Sequence, residues 1–182
     1  MNTQSPPPLF LTIAGMVNQE MSARVFQTLS GAIRDGYQDV HLLIQSTGGF
    51  IGDGIGIFNF LSNLPIKITT YNIGYVASIA VPIYLAGSNR VCAETATFMI
   101  HRPHNTNVGG TTNTVIAAAD SLRIDEKRCG TILKSFLKLP EEQWAIYANN
   151  DLTFSSSEAI KYGASHSIGM FVPVKGAPIF NI

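Results

Sequence analysis

The segment Val40–Gln45 constrains the fold of this chain more than any other. It reads Val-His-Leu-Leu-Ile-Gln, a nearly continuous apolar run that is followed at once by Ser46-Thr47-Gly48-Gly49. Such a run is typical of a strand that is covered on both faces, as in a parallel sheet with helices on each side. Parallel neighbours need crossover connections, which are usually helical. This segment therefore predicts a layered α/β fold.

The neighbouring segments supply the helices and strands that such a sheet needs. Apolar residues recur every four positions from Met21 to Ile33, as in an amphipathic helix, and Gly36 is placed to end it. A second helix follows Gly49 and ends before Pro65, because the residue before proline is disfavoured in a helix, and a third ends near Gly87. The predicted strands are Leu9–Ile13, Val40–Gln45, Ile66–Tyr71, Arg90–Cys92 and Thr97–Ile100.

The second half of the chain is predicted to be mostly helical. Residues 105–112 are rich in Gly, Thr and Asn and fit no regular element. A long helix is expected over 113–139, closed by Pro140, which is suited to begin the next helix. A last short helix starts at the capping-box spacing Ser155-x-x-Glu158. No repeat, linker or charge block interrupts the chain, so residues 1–182 are expected to form one domain.

Composition indicates which partners to expect. The 12 basic and 12 acidic residues make up 13% of the 182 residues, against about 25% in a typical soluble domain. So few charges indicate a surface that is partly covered by other subunits. With a formal net charge of zero, the chain has no excess of cations to attract a nucleic acid or an anionic membrane surface.

Three features indicate a cytoplasmic protein. Cys92 and Cys129 form no Cys-x-x-Cys pair and fit a reducing compartment. The first cation is Arg24, so the apolar stretch near the start lacks the positive region of a signal peptide. Residues 68–89 carry no charge, but Pro82 and several polar residues favour a strand, a turn and a helix over a membrane span.

The glycines after Val40–Gln45 allow several interpretations. A nucleotide site is disfavoured, because neither the Gly-Lys-Ser/Thr end of a P-loop nor a Gly-x-Gly-x-x-Gly motif is present. The glycines either permit a tight turn or leave backbone N–H groups uncovered. In the second case, those N–H groups would stabilise an oxyanion during acyl transfer.

Three side chains are candidates for nucleophilic catalysis. Ser78 lies in an uncharged stretch at the expected start of a helix, His101 ends the strand Thr97–Ile100, and Asp151 follows Asn149-Asn150. Each has a simpler interpretation: a helix cap, a structural histidine and a solvated loop carboxylate. His101 and His104 have the spacing of a metal pair only on a helix, which Pro103 disfavours. Composition and spacing leave these alternatives open.

Four blocks of residues together resemble the proteolytic subunit of the Clp protease family, serine peptidases with a crotonase-like fold. Ile44-Gln45-Ser46-Thr47-Gly48-Gly49 resembles the family's strand leading into Ser-Pro-Gly-Gly. Gly74-Tyr75-Val76-Ala77-Ser78-Ile79 resembles its nucleophile turn, Gly-x-Ala-Ala-Ser-Met. The other two blocks are Met99-Ile100-His101-Arg102-Pro103 and Asp151-Leu152-Thr153-Phe154-Ser155, the latter followed by Glu158-Ala159 and Tyr162-Gly163. The resemblance extends from Leu9 to about Ile168.

The resemblance implies a role for each candidate residue. Ser78 would be the nucleophile, His101 the general base and acid, and Asp151 the orienting carboxylate. The backbone N–H groups of Gly49 and Ile79 would form the oxyanion hole, and no metal or cofactor is implied. The enzyme would cleave unfolded polypeptides through an acyl-enzyme.

The resemblance also implies an assembly. The fold would be built of repeated β-β-α units with a protruding strand and helix, the handle, at about residues 105–139. Handles would interlock two heptameric rings into a 14-mer with an inner chamber. A Clp ATPase unfoldase would feed unfolded polypeptides into this chamber.

Alternative functions remain at this stage. His41, Leu43 and Asn63 stand where the family tends to place aromatic residues for docking its ATPase, so one alternative is a diverged ring protein that acts without an ATPase. Another is a ring subunit that is catalytically silent. A third is a crotonase-type enzyme acting on acyl-CoA thioesters, which would use the same paired N–H groups.

Overall fold

The computed structural model describes residues 6–104 and 108–182, and its strands form two sheets. The strands are β1 (Leu9–Ala14), β2 (Asp39–Gln45), β3 (Lys67–Asn72), β4 (Tyr75–Ala77), β5 (Asn89–Cys92), β6 (Thr97–Ile100), β7 (Leu152–Ser155), β8 (Ser167–Ile168) and β9 (Ile179–Asn181). The larger sheet has the order β8-β5-β3-β2-β1-β9, and all its neighbouring strands are parallel. The predicted α/β fold with a parallel sheet is thus confirmed.

The smaller sheet has three strands in the order β4-β6-β7. Strand β4 runs parallel to β6, and Ala77 lies opposite Met99. Strand β7 runs antiparallel to β6, and Leu152 lies opposite Ile100. All three candidate catalytic residues directly adjoin these strands.

The helices cover the sheets and connect the strands. They are α1 (Gln19–Arg34), α2 (Ile51–Ser62), α3 (Ala80–Leu85), α4 (Thr112–Phe136), α5 (Glu141–Asn149) and α6 (Ser156–Lys161). Helix α1 buries Met21, Val25 and Leu29, as its four-residue spacing predicts, and the chain leaves it through Gly36 at φ +85°. The predicted capping box is present at α6, where Ser155 and Glu158 bond each other's backbone N–H groups.

Several short elements differ from the predictions. The sequence did not predict β4, β7, β8 or β9, each of which has only two to four residues. Helix α4 ends at Phe136, because Leu137 turns to extended backbone at φ −95° and ψ 132°. Pro140 lies one residue before α5, at its N-cap, and is not the first helical residue.

Helix α4 is exposed along most of its length. Only Cys129 and Leu133 of its 25 residues are buried, one turn apart on the same face. Val115, Ile116 and Ile124 are apolar and 44%, 54% and 60% exposed. The expected handle includes residues 105–107, which lie outside the described part of the chain. Within the described part, no helix is long and apolar enough to span a membrane.

Candidate active site

The smaller sheet brings Ser78, His101 and Asp151 together. Ser78 follows β4 directly, and its backbone N–H donates to the carbonyl of Met99 on β6 at 2.8 Å. His101 is the first residue after β6, and Asp151 is the last before β7. Since Ile100 pairs with Leu152 in an antiparallel ladder, continuation of the register sets His101 opposite Asp151. Pairing of three short strands therefore positions all three side chains.

Ser78 has a backbone conformation that is rare for a residue with a side chain. It is the only non-glycine with positive φ, at +55°, among the described residues. The N-cap position of α3 belongs to Ile79 and has no side-chain cap hydrogen bond, so the simple interpretation of Ser78 as a helix cap is wrong. Instead, Ser78 Oγ lies 2.7 Å from His101 Nε2. A strained turn that points a hydroxyl at an imidazole is typical of a nucleophile.

The His101 imidazole is suited to accept a proton near neutral pH. Burial lowers its pKa below the ordinary value of 6.5, and the nearby carboxylate of Asp151 partly offsets this effect by raising it. His104, to which the sequence assigned no role, meets the His101 ring edge to face at 4.9 Å and lowers the pKa of His101 further. The lowered pKa favours the neutral imidazole, the form in which a general base accepts a proton.

Asp151 lies near the other nitrogen of the same ring. Its Oδ1 is 3.6 Å from His101 Nδ1, slightly longer than a hydrogen bond. The side chain of Asp151 is 67% exposed, whereas that of His101 is 18% exposed. A small movement would close this gap and fix the proton on Nδ1, which leaves Nε2 free to accept from Ser78.

The glycine turn after β2 lies against the serine. A Cβ atom at Gly48 would come within 2.6 Å of Ser78 Cβ and 3.0 Å of Ser78 Oγ, and Gly48 has φ +95°. At Gly49 a Cβ atom would collide with the backbone of Val17. Both positions therefore require glycine. Within residues 6–104 and 108–182, the N–H groups of Gly49 and Ile79 have no hydrogen-bond partner, so both remain available to an oxyanion.

A small cavity adjoins the serine and histidine, and a wider cleft lies nearby. A cavity of about 20 Å³ beside Ser78 is lined mainly by apolar groups, among them Pro82, Ile100, Cys129 and Leu133. Burial raises the pKa of the Cys129 thiol to about 11, so its neutral form suits this lining. A wider cleft of about 940 Å³ runs past Gly49, between the start of α2 and residues 118–125 of α4. The described residues contain no cluster of three or more His, Cys, Asp or Glu side chains that could hold a metal ion.

Sequence reasoning missed the part that Gly54 plays. This glycine, on α2, faces Ile79 so closely that a Cβ atom there would collide with the Ile79 side chain. The spacing Gly52-x-Gly54-x-Gly56 is visible in the sequence, but it does not by itself indicate which segment α2 approaches. Its absent side chain lets α2 approach the turn that carries the N–H of Ile79.

Comparison with known proteins agrees with the fold. A family profile described as Clp protease matches residues 9–170. The ATP-dependent Clp protease proteolytic subunit of Paracoccus denitrificans is 25% identical over 153 residues, covering 83% of this chain and 76% of its own. Subunit 1 of Mycobacterium leprae is 29% identical over 150 residues, covering 81% and 74%.

A solved structure matches as well. A single-site mutant of ClpP1 from Listeria monocytogenes has a TM-score of 0.77 at 23% identity, covering 90% of this chain and 91% of its own. At that identity, the match establishes the fold. The profile spans all four blocks that suggested the resemblance, and this chain belongs to the Clp protease family.

Proposed function

We propose that this chain is a serine endopeptidase in which Ser78, His101 and Asp151 form the catalytic triad. The observation that carries the proposal is the 2.7 Å contact between Ser78 Oγ and His101 Nε2, with a carboxylate on the other side of the imidazole. Membership of the Clp protease family supports the same reaction class. The substrate would be an unfolded polypeptide lying in the cleft beside Gly49.

The reaction follows from the positions of these groups. Ser78 Oγ attacks the scissile carbonyl carbon while His101 Nε2 takes its proton, and the carbonyl oxygen becomes an oxyanion that the N–H groups of Gly49 and Ile79 stabilise. Collapse of this intermediate breaks the C–N bond, and His101 gives its proton to the leaving amine. Water then attacks the Ser78 ester, again with His101 as base, and releases the acid. Asp151 stabilises the imidazolium in both halves.

The exposure of α4 supports self-assembly. A monomer would leave Val115, Ile116 and Ile124 in water along one helix, so a second copy is the expected cover. We propose one domain over residues 1–182, with about 105–139 as a handle between two heptameric rings. Relatives named ATP-dependent Clp protease proteolytic subunits support an ATP-dependent partner, which we propose is a Clp ATPase unfoldase. We propose a cytoplasmic location because both cysteines, Cys92 and Cys129, are free thiols, as in a reducing compartment.

The decisive experiment is labelling with a fluorophosphonate, which reacts with an activated serine. The wild-type chain should be labelled at Ser78, and Ser78→Ala should lose both labelling and peptide hydrolysis. Loss of a triad member commonly lowers kcat by about 10⁴–10⁶. Ser165→Ala is the matched control, since this serine is buried and bonds the Tyr84 hydroxyl away from the site. Labelling that survives Ser78→Ala would refute the proposal.

A further inference from the structure

Little in the described structure holds the Asp151 carboxylate in place. It borders an open cavity of about 600 Å³, so packing does not fix it, and it accepts no hydrogen bond from residues 6–104 or 108–182. Its position depends on the backbone to either side. On one side, β7 pairs with β6, and on the other, the chain leaves α5 through Asn150, whose N–H donates to the Ile146 carbonyl at 2.7 Å.

Arg102 connects that end of α5 to the histidine. It follows His101 directly, and its Nη1 donates to the carbonyl of Ala148 at 3.1 Å. Ala148 lies in the last turn of α5, where carbonyls lack helical partners and the helix end is electronegative, so a cation is favoured there. Only two residues separate Ala148 from Asp151. The guanidinium thus joins the segment that carries the base to the segment that carries its carboxylate.

The same guanidinium is held by a second helix. Arg102 Nη2 lies 2.6 Å from Glu126 Oε1 on α4, and the Glu126 side chain is only 28% exposed. A planar guanidinium reaches two acceptors in fixed directions, which a lysine cannot do. The two contacts therefore determine where the end of α5 lies relative to His101, although an exposed ion pair by itself contributes little to stability.

We propose that Arg102 is a positioning residue that acts through Asp151. By tying the ends of β6 and α5 to α4, it keeps the carboxylate within reach of His101 Nδ1. This inference rests on the proposed function. It differs from two other roles that the same contacts allow: a general tether for the fold, and a direct electrostatic effect of the cation on His101.

A double-mutant cycle separates these roles. We expect Arg102→Ala to slow fluorophosphonate labelling of Ser78 by about tenfold to a hundredfold, the range expected when a catalytic group is displaced by about 1 Å. In an Asp151→Ala background, the same substitution should change the residual rate less than twofold, because the residue through which it acts is absent. On a short fluorogenic peptide, kcat should fall while KM stays within about twofold.

Other results would overturn the inference. Equal losses in both backgrounds would mean that Arg102 acts independently of Asp151, and an unchanged rate would mean that it has no catalytic effect. Arg34→Ala is the control, since Arg34 also pairs with a carboxylate, Asp35 at 3.2 Å, but on a remote exposed surface. If Arg102→Ala fails to fold, Arg102→Lys is measured instead. We then expect a smaller loss of labelling rate in the otherwise wild-type chain and no loss in the Asp151→Ala background.

The outcome also distinguishes this inference from the proposed function. If the Ser78→Ala variant is still labelled, the peptidase proposal itself fails. If Ser78→Ala abolishes labelling but Arg102→Ala is neutral, the peptidase proposal stands and only the positioning role of Arg102 is refuted.

Discussion

Substituting Gly54 by alanine tests how closely α2 must approach the serine turn. The added methyl group would collide with Cγ1 of Ile79 and lie 3.2 Å from its Cγ2, and Ile79 is only 3% exposed. Alanine favours a helix interior by about 1 kcal/mol over glycine. Overpacking a tight core costs about 1–3 kcal/mol. Gly54→Ala should therefore lower the free energy of unfolding by about 0–2 kcal/mol.

Gly56→Ala provides the matched control on the same helix. A Cβ atom at Gly56 would meet only Phe26, at an ordinary contact distance of 3.7 Å. This variant should gain about 1 kcal/mol from helix propensity alone. The two variants should then differ by about 1–3 kcal/mol in urea unfolding at constant m value.

The same pair should differ in activity. If Ile79 moves, its N–H moves away from the developing oxyanion, and complete loss of one such donor costs about 10²–10³ in kcat. We expect peptide hydrolysis by Gly54→Ala to fall at least about tenfold, and that by Gly56→Ala to stay near wild type. The reasoning would be refuted if Gly54→Ala were as stable and as active as Gly56→Ala.

Three further predictions concern charge, burial and assembly. Burial lowers the pKa of His101 and Asp151 raises it, with burial the larger effect, so the midpoint of the acid limb in a plot of kcat/KM against pH should lie below pH 6.5. Asp151→Asn should move that midpoint to lower pH and reduce the maximal kcat/KM. A shift of the midpoint to higher pH would contradict this prediction. Arg90 donates to three backbone carbonyls at 2.7–3.2 Å and is 9% exposed. Arg90→Ala should therefore lower the free energy of unfolding by about 3 kcal/mol or more, measured by chemical denaturation. An unchanged free energy of unfolding would show that these hydrogen bonds do not stabilise the fold. Ile116→Asp should reduce the assembly mass measured by light scattering, whereas an unchanged mass would exclude the N-terminal half of α4 from the interface.

The regular elements could be predicted wherever a local pattern extends over several turns or strand positions. Helix α1 was visible because four-residue spacing buries one face, and β2 because its apolar run is nearly continuous. The expected burial of both faces of β2 was too strong, since Val40, Leu42 and Ile44 are buried but the side chains between them are only half-buried. The two glycines after β2 were recognised as a special turn, since neither fits regular structure there. The four-residue β7 was missed, because its alternation of buried and exposed residues is too short to separate from loop.

The candidate site required information of another kind. No local pattern relates His101 to Asp151, which are fifty positions apart; only the antiparallel pairing of β6 with β7 sets them side by side. The positive φ of Ser78 and the reach of Arg102 to Glu126 also depend on neighbours distant in the chain. The sequence alone determined the residue types, the main strands and helices, and the family resemblance. Their geometry was decided by tertiary structure, because strand register is fixed by burial and hydrogen bonding between segments that local periodicity does not connect.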